Sequence, residues 1–204
     1  SSASTVLHAR KPATARGQAT LRRILAAAEQ EFGAKGFHTA SVAGITQASG
    51  VAQGTFYIYF GGKEQIFREL VRDIGEQVRA AMTQAAAEAP DRLAAERAGL
   101  EGFIDFVAAH PHLYRIVQEA QFVDEQVYRD YYNDIARGYA NALQQAADAG
   151  EIRPGDAELQ AWALMGLGHF VGLRYCVWQG RRPTAATLDA AMDFISHGLA
   201  PVAD

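Results

Sequence analysis

Gln53, Thr55 and Tyr57 open one short apolar-periodic segment, and Lys63 follows its end. Together these side chains are equipped to read and hold a nucleic-acid duplex. A glutamine pairs with adenine through two hydrogen bonds, and a threonine bonds a base edge or touches a thymine methyl. Tyr57 carries its hydroxyl on a rigid arm. Gly54 has no side chain, so the backbone beside it can approach a partner closely.

Reading of this kind needs a helix held at a fixed angle. Residues 39–63 supply two short periodic segments separated by Ser49-Gly50-Val51. In the first, Val42, Ile45 and Ala48 share one face. In the second, Phe56 and Phe60 lie one turn apart, as do Thr55 with Tyr59 and Gln53 with Tyr57. Two short helices joined by a glycine-containing turn make a helix-turn-helix, whose second helix enters the major groove. Phe56 and Phe60 are expected in the core. Before the motif, Leu21, Ile24, Leu25, Ala28 and Phe32 predict a helix over 18–34, with Gly36 as its stop signal and Ser41 as the next N-cap. After Gly61-Gly62, Ile66, Leu70, Ile74 and Val78 stripe a long helix over 63–88.

The 204 residues carry a net charge of −4, unevenly spread. Residues 1–72 hold a net +5 and the remainder −9. The basic part attracts phosphates and the acidic part faces elsewhere. Residues 1–16 are small, polar and basic and read as a flexible arm, with Arg10, Lys11 and Arg16 able to reach a minor groove. The single cysteine, Cys176, excludes an intramolecular disulfide framework and suits a reducing cytoplasm. No membrane span or signal-peptide core is expected.

The run GVAQGTFYIYFGGKEQIF, preceded by Phe32-Gly33-Ala34-Lys35-Gly36-Phe37, strongly resembles the TetR family of bacterial transcriptional regulators. The resemblance covers residues 18–70, roughly a quarter of the chain. It implies an all-α homodimer, each chain with an N-terminal three-helix helix-turn-helix domain and a C-terminal helical bundle for ligand binding and dimerisation. Division is expected at 1–16 (arm), 17–62 (DNA-binding domain) and 63–204 (bundle). By resemblance, Gln53, Gly54, Thr55 and Tyr57 face the groove, and Thr39, Ser41, Tyr59 and Lys63 hold phosphates. Thr46 departs from the alanine more usual in the family. Gly61-Gly62 departs too, in a way expected to loosen that corner.

Residues 91–204 carry no specific motif but read as helix throughout: a helix capped by Asp91, a break at His110-Pro111-His112, then helices over 111–122, 124–149, 156–179 and 184–198. AWALMGLGHFVGLRYCVW is apolar on nearly all sides and is expected to be buried on nearly all sides, partly in a two-fold subunit interface formed by the last two helices. Gly168 and Gly172 allow close approach of another backbone. Candidate walls of an effector cavity are Phe103, Phe106, Tyr114, Val117, Phe122, Tyr128, Tyr132, Trp162, Met165, His169, Arg174 and Trp178. Arg115, Arg174, Arg181 and Arg182 are candidate anion contacts at its mouth, which would suit a fatty acid or an acyl-CoA.

His110 and His112 flank a proline without a Cys/His framework, so no metal is expected. No nucleophile elbow or phosphate loop points to an enzyme or to a cofactor. The expected function is a ligand-responsive regulator, a repressor that releases a palindromic operator when a small apolar or acyl-CoA-like effector binds. The competing reading is a helical small-molecule-binding or catalytic protein with a vestigial helix-turn-helix.

Overall fold

A computed structural model describes residues 12–199. It is all-α, and several helices start at a capping side chain or stop at a glycine. α1 (Ala15–Lys35) begins at Thr14, whose hydroxyl accepts from the Gly17 amide at 3.1 Å, and ends at Gly36 with φ 77°. Arg16 therefore lies in the first turn of α1 rather than in an arm. Arg10 and Lys11 lie outside the described residues. α2 (Val42–Ser49) is capped by Ser41, whose hydroxyl accepts from Gly44 at 3.0 Å, and closes at the left-handed Gly50. α3 (Gln53–Tyr59) follows, then α4 (Lys63–Ala86). Asp91 caps α5 (Arg92–Ala109). α6 (Leu113–Val123) and α7 (Glu125–Asp148) come next. Asp156 caps α8 (Ala157–Gly172), which runs into a π-helical turn at Leu173–Trp178. α9 (Ala185–Leu199) ends the described chain.

Packing divides the chain into two compact units. The first comprises residues up to Ile74 together with His112–Arg129, and the second comprises Gly75–Pro111 and the residues from Asp130 onward. The division does not fall at residue 63. α4 and α7 each have residues in both units, and α6 belongs with the helix-turn-helix.

In the first unit the apolar stripe of α1 is buried at Ile24, Leu25, Ala28 and Phe32. Phe32, Phe37 and Phe67 meet in a cluster with centroid distances of 5.0–5.9 Å. Glu31, almost buried, accepts from the Ser41 amide at 3.2 Å and from Lys35 at 2.9 Å, tying α1 to the start of α2. Gly44 makes room for that carboxylate, because a Cβ there would strike it. Thr46 is also buried, its hydroxyl donating to the Ala43 carbonyl at 3.0 Å. α6 is docked on the end of α1 by polar contacts. Arg115 donates to the carbonyls of Gly33 and Ala34 at 3.0 and 3.2 Å, and Glu119 accepts from the Phe37 amide at 2.8 Å. Arg68 pairs with Asp124 at 2.7 Å.

In the second unit Leu143, Ile152, Ala161, Met192, Ile195 and Leu199 form one apolar core, and Leu100, Ile104 and Leu188 a second. α8 is not buried all round. Leu159 and Phe170 of α8 are 65% and 66% exposed and Trp162 is partly so, while Trp178 of the π-helical turn is 72% and Phe194 of α9 74% exposed, with Val177 partly so. Gly168 faces Leu100 and Phe103 of α5 within the same chain.

Gly33 packs against the His112 ring at the start of α6, so an added Cβ collides with it. Gly33→Ala gains about 1 kcal/mol of helix propensity but overpacks this contact, at a cost of about 1–3 kcal/mol. Urea denaturation should show net destabilisation. His112→Ala in the same chain should recover part of the loss. An unchanged midpoint for Gly33→Ala would contradict this packing.

Candidate nucleic-acid interface and ligand cavity

α3 has three faces. Phe56 is fully buried and touches the ring of Phe60 at 5.5 Å, which fixes the helix to its unit. Gln53, Gly54, Tyr57 and Ile58 form the outer face and are exposed, Tyr57 by 55% and Ile58 by 67%. Thr55 and Tyr59 form a half-buried flank. Both line a groove of about 670 Å³ together with Thr14, Arg16, Thr20 and Arg23 from the first turns of α1. Arg16, Thr20 and Arg23 are thus neighbours of the predicted reading residues. Sequence periodicity misses this, because it reports the buried face of α1 and not what its exposed face stands beside.

The residues expected to hold phosphates are placed unequally. Thr39 is exposed. Ser41 is exposed, and its hydroxyl caps α2. The Tyr59 hydroxyl donates to the Gly17 carbonyl at 3.3 Å. The Lys63 ammonium donates to the carbonyls of His38 and Ala40, both at 3.2 Å, and stands 4.7 Å from the centre of the Phe37 ring. Lys63 thus closes the corner between α1 and α2. The Gly61 amide donates to Gln65 at 2.6 Å, so the double glycine is tied rather than loose.

The second unit holds a cavity of about 280 Å³, mostly apolar, lined by α4, α5, α7, α8 and α9. Of the twelve predicted wall residues, Phe103, Tyr132, Trp162, Met165 and His169 line it. The other seven lie elsewhere. Phe106 is buried and stacks on His110, with centroids 4.2 Å apart. Tyr114 and Val117 are buried in the first unit, because α6 packs there. Phe122 and Tyr128 also fall in the first unit, Phe122 being 84% exposed. Arg174 and Trp178 are exposed. The candidate anion contacts are engaged. Arg115 holds the end of α1, Arg174 and Arg181 lie over the Tyr175 ring, and Arg182 pairs with Asp105.

Sequence reasoning missed the main polar feature of the cavity. Glu96 on α5 is only 3% exposed, accepts from the Tyr139 hydroxyl and stands 2.8 Å from the Arg92 guanidinium. The Arg92 Nε hydrogen does not point along that contact, which is an ion pair without an aligned hydrogen bond. Glu96 and Tyr139 also line a second cavity, of about 360 Å³, with Arg79 and Arg92 on its wall. Glu96, Tyr139, Met82 and Ile135 border both. Burial raises the Glu96 carboxyl above the ordinary 4.5, against the opposing charge of Arg92 and the Tyr139 hydrogen bond. Burial likewise lowers His169, favouring the neutral ring. A lone glutamate on a helix gives no signal of burial in a sequence. Only its approach to Tyr139, 43 residues away, reveals it.

A raised native value means that Glu96 keeps its proton to higher pH in the folded chain than in the unfolded one. Between those two values the native state binds more protons, so stability falls as pH rises through that window. Glu96→Gln should flatten this slope in urea midpoints measured from acidic to neutral pH. An unaltered slope would mean that the group titrates alike in both states.

Comparison with known proteins matches this arrangement. Residues 24–70 match the family described as bacterial regulatory proteins, tetR family. The HTH-type transcriptional regulator YdgC of Bacillus subtilis is 44% identical over 64 residues, 31% of this chain and 33% of that protein, so only about a third of its length is spanned. The fatty acid metabolism regulator protein of B. subtilis is 30% identical over 139 residues, covering 65% of this chain and 71% of that protein. A tetR-family transcription regulator from Shewanella sp. PV-4 superposes with a TM-score of 0.71 at 23% identity, over 90% of this chain and 99% of that one, and so shares the fold. With a 30%-identical relative covered over more than two thirds of its length, and the matching segment centred on the helix-turn-helix, the chain belongs to the TetR family of DNA-binding transcriptional regulators.

Proposed function

We propose that this regulator is an effector-controlled repressor that binds a palindromic operator as a homodimer. The observation that carries this reading is the makeup of the 280 Å³ cavity wall. Val78 and Met82 come from α4, and Tyr131, Tyr132 and Ile135 from α7. Those two helices also have residues in the helix-turn-helix unit. An effector that fills the cavity presses on both. α4 and α7 thus share the role of transmitting that pressure.

The homodimer reading is supported by the exposed apolar side chains of α8, the π-helical turn and α9, which find no cover among the described residues. Two copies then present two α3 helices to half-sites about one helical turn, or a multiple of it, apart. On each, Gln53, Gly54 and Tyr57 face base edges while Thr55 stands at the flank. Thr39, Ser41, Tyr59 and Lys63, with Arg16 and Arg23, lie toward the backbone. Tyr59 and Lys63 do so while holding their own carbonyl partners.

The effector is an apolar molecule or an acyl-CoA-like thioester. Support comes from the apolar lining of the cavity and from the relative named as a fatty acid metabolism regulator. Arg79 and Arg92, which line the adjoining cavity, are the candidate cations for an anionic head, in place of the arginines expected from sequence.

Two measurements test this. In fluorescence-anisotropy titrations on a selected operator, Arg23→Ala should weaken binding on every sequence and reduce the slope of log affinity against log salt by about 1. Tyr57→Ala should weaken the selected site more than random duplex. Acyl-CoAs of graded chain length should release the operator and quench Trp162 at the same concentrations. Release by no chain length rules out that effector class, and unchanged DNA affinity in both variants rules out α3 as the reading helix.

A further inference from the structure

We propose that Ile58 is a sequence-reading residue of this regulator and that it reads the C5-methyl group of thymine. This rests on α3 being the helix that enters the groove. Among the described residues of the helix-turn-helix, Ile58 is the most exposed large apolar side chain, at 67%. Nothing in the fold asks for it. Phe56 already anchors α3, fully buried, and a β-branched residue is a poor choice on an exposed helix face, where lysine, arginine or glutamine serve better.

The placement of Ile58 gives the side chain a use. It lies one turn after Gly54, and nothing stands within 4 Å of where a Gly54 Cβ would be. Side chains on a helix lean toward its N-terminus, so the branches of Ile58 lie over the turn that Gly54 leaves bare. Any side chain at position 54 would hold the helix off a partner. Glycine there lets the isoleucine methyls reach the same depth as the Tyr57 ring beside them.

The surroundings select the partner. Gln53 and Tyr57 share the outer face, and Arg16 and Arg23 line the adjoining groove. That face suits a polyanion. A single isoleucine is far below the roughly 800 Å² per side that a protein partner buries. In the major groove the apolar group presented by a base pair is the thymine C5-methyl. Ile58 therefore adds discrimination between thymine and cytosine that neither Gln53 nor Tyr57 supplies.

The test begins with duplexes selected from randomised DNA by the full-length protein. Each thymine of the selected site is replaced in turn by deoxyuridine, which removes only the methyl. One thymine per half-site should emerge at which methyl loss weakens the wild type about fourfold, the effect of one buried methyl-sized group. Ile58→Ala should bind the thymine site more weakly and be indifferent to that replacement. Ile58→Val, which keeps a branched methyl, should remain sensitive. The exposed position predicts no loss of thermal stability in either variant, and a small gain for Ile58→Ala, which separates reading from folding. Equal sensitivity in wild type and Ile58→Ala overturns the proposal, as does a selected site with no methyl dependence. If wild type selects no sequence at all, α3 is not the reading helix and the role of Ile58 falls with it.

Discussion

The contact among Phe32, Phe37 and Phe67 is the constraint on which the reading end depends. The three rings come from α1, the link after it and α4, with centroids 5.0–5.9 Å apart. Aromatic pairs of this kind add about 0.5–1.5 kcal/mol each beyond the area they bury. The larger consequence is geometric. Phe37 also supports the Lys63 ammonium, which gathers the carbonyls of His38 and Ala40. One ring cluster thus sets the start of α4 and the corner that leads into α2. α3, with seven residues, is too short to be stable alone. It is held by Phe56 and Phe60, so the angle of its outer face is decided by the core beneath it.

Much of this was legible because it is local. The N-caps at Ser41 and Asp91, the stops at Gly36 and Gly50 and the three faces of α3 follow from residue type and spacing. The start of α1 was missed because Thr14 caps it within a stretch that lacks apolar periodicity. The assignment of α6 was missed for another reason. Its attachment rests on Arg115 and Glu119 meeting backbone groups 81 and 82 residues away, and periodicity carries no information about polar contacts at that range. Tyr114 and Val117, expected as cavity walls, are buried in the first unit instead. With two cores available, the pattern could not say which core they face.

The same limit explains the arginines. A sequence shows how many positive charges a region has, and not which carbonyls, rings or carboxylates already hold them. Arg115 is spent on the end of α1, Arg182 on Asp105, and Arg174 and Arg181 lie over Tyr175. The charges that matter for the cavity are instead Glu96 and Arg92. Such a buried pair rarely adds stability over a well-packed apolar pair, because desolvation offsets its attraction. In the proposed reading it would favour an apolar effector over a bare anion. A bare anion entering the 280 Å³ cavity would meet a carboxyl, phenols and an imidazole whose burial disfavours its charged form, with no lysine or arginine among the described lining residues, whereas an alkyl chain would meet mostly apolar surface.

That selectivity bears on how an effector would be sensed. A ligand shifts a conformational equilibrium only by the difference in its affinity for the two states. A cavity lined by one helix from the reading unit offers one such difference. Here α4 contributes Val78 and Met82, and α7 contributes Tyr131 and Ile135, while Arg68 of α4 and Asp124 at the head of α7 are paired within the helix-turn-helix unit. An effector that separates the cavity ends of α4 and α7 therefore acts on two helices whose other ends are joined by an ion pair. In the proposed mechanism effector and operator would then oppose each other through the same two helices, and by linkage each would weaken the other equally.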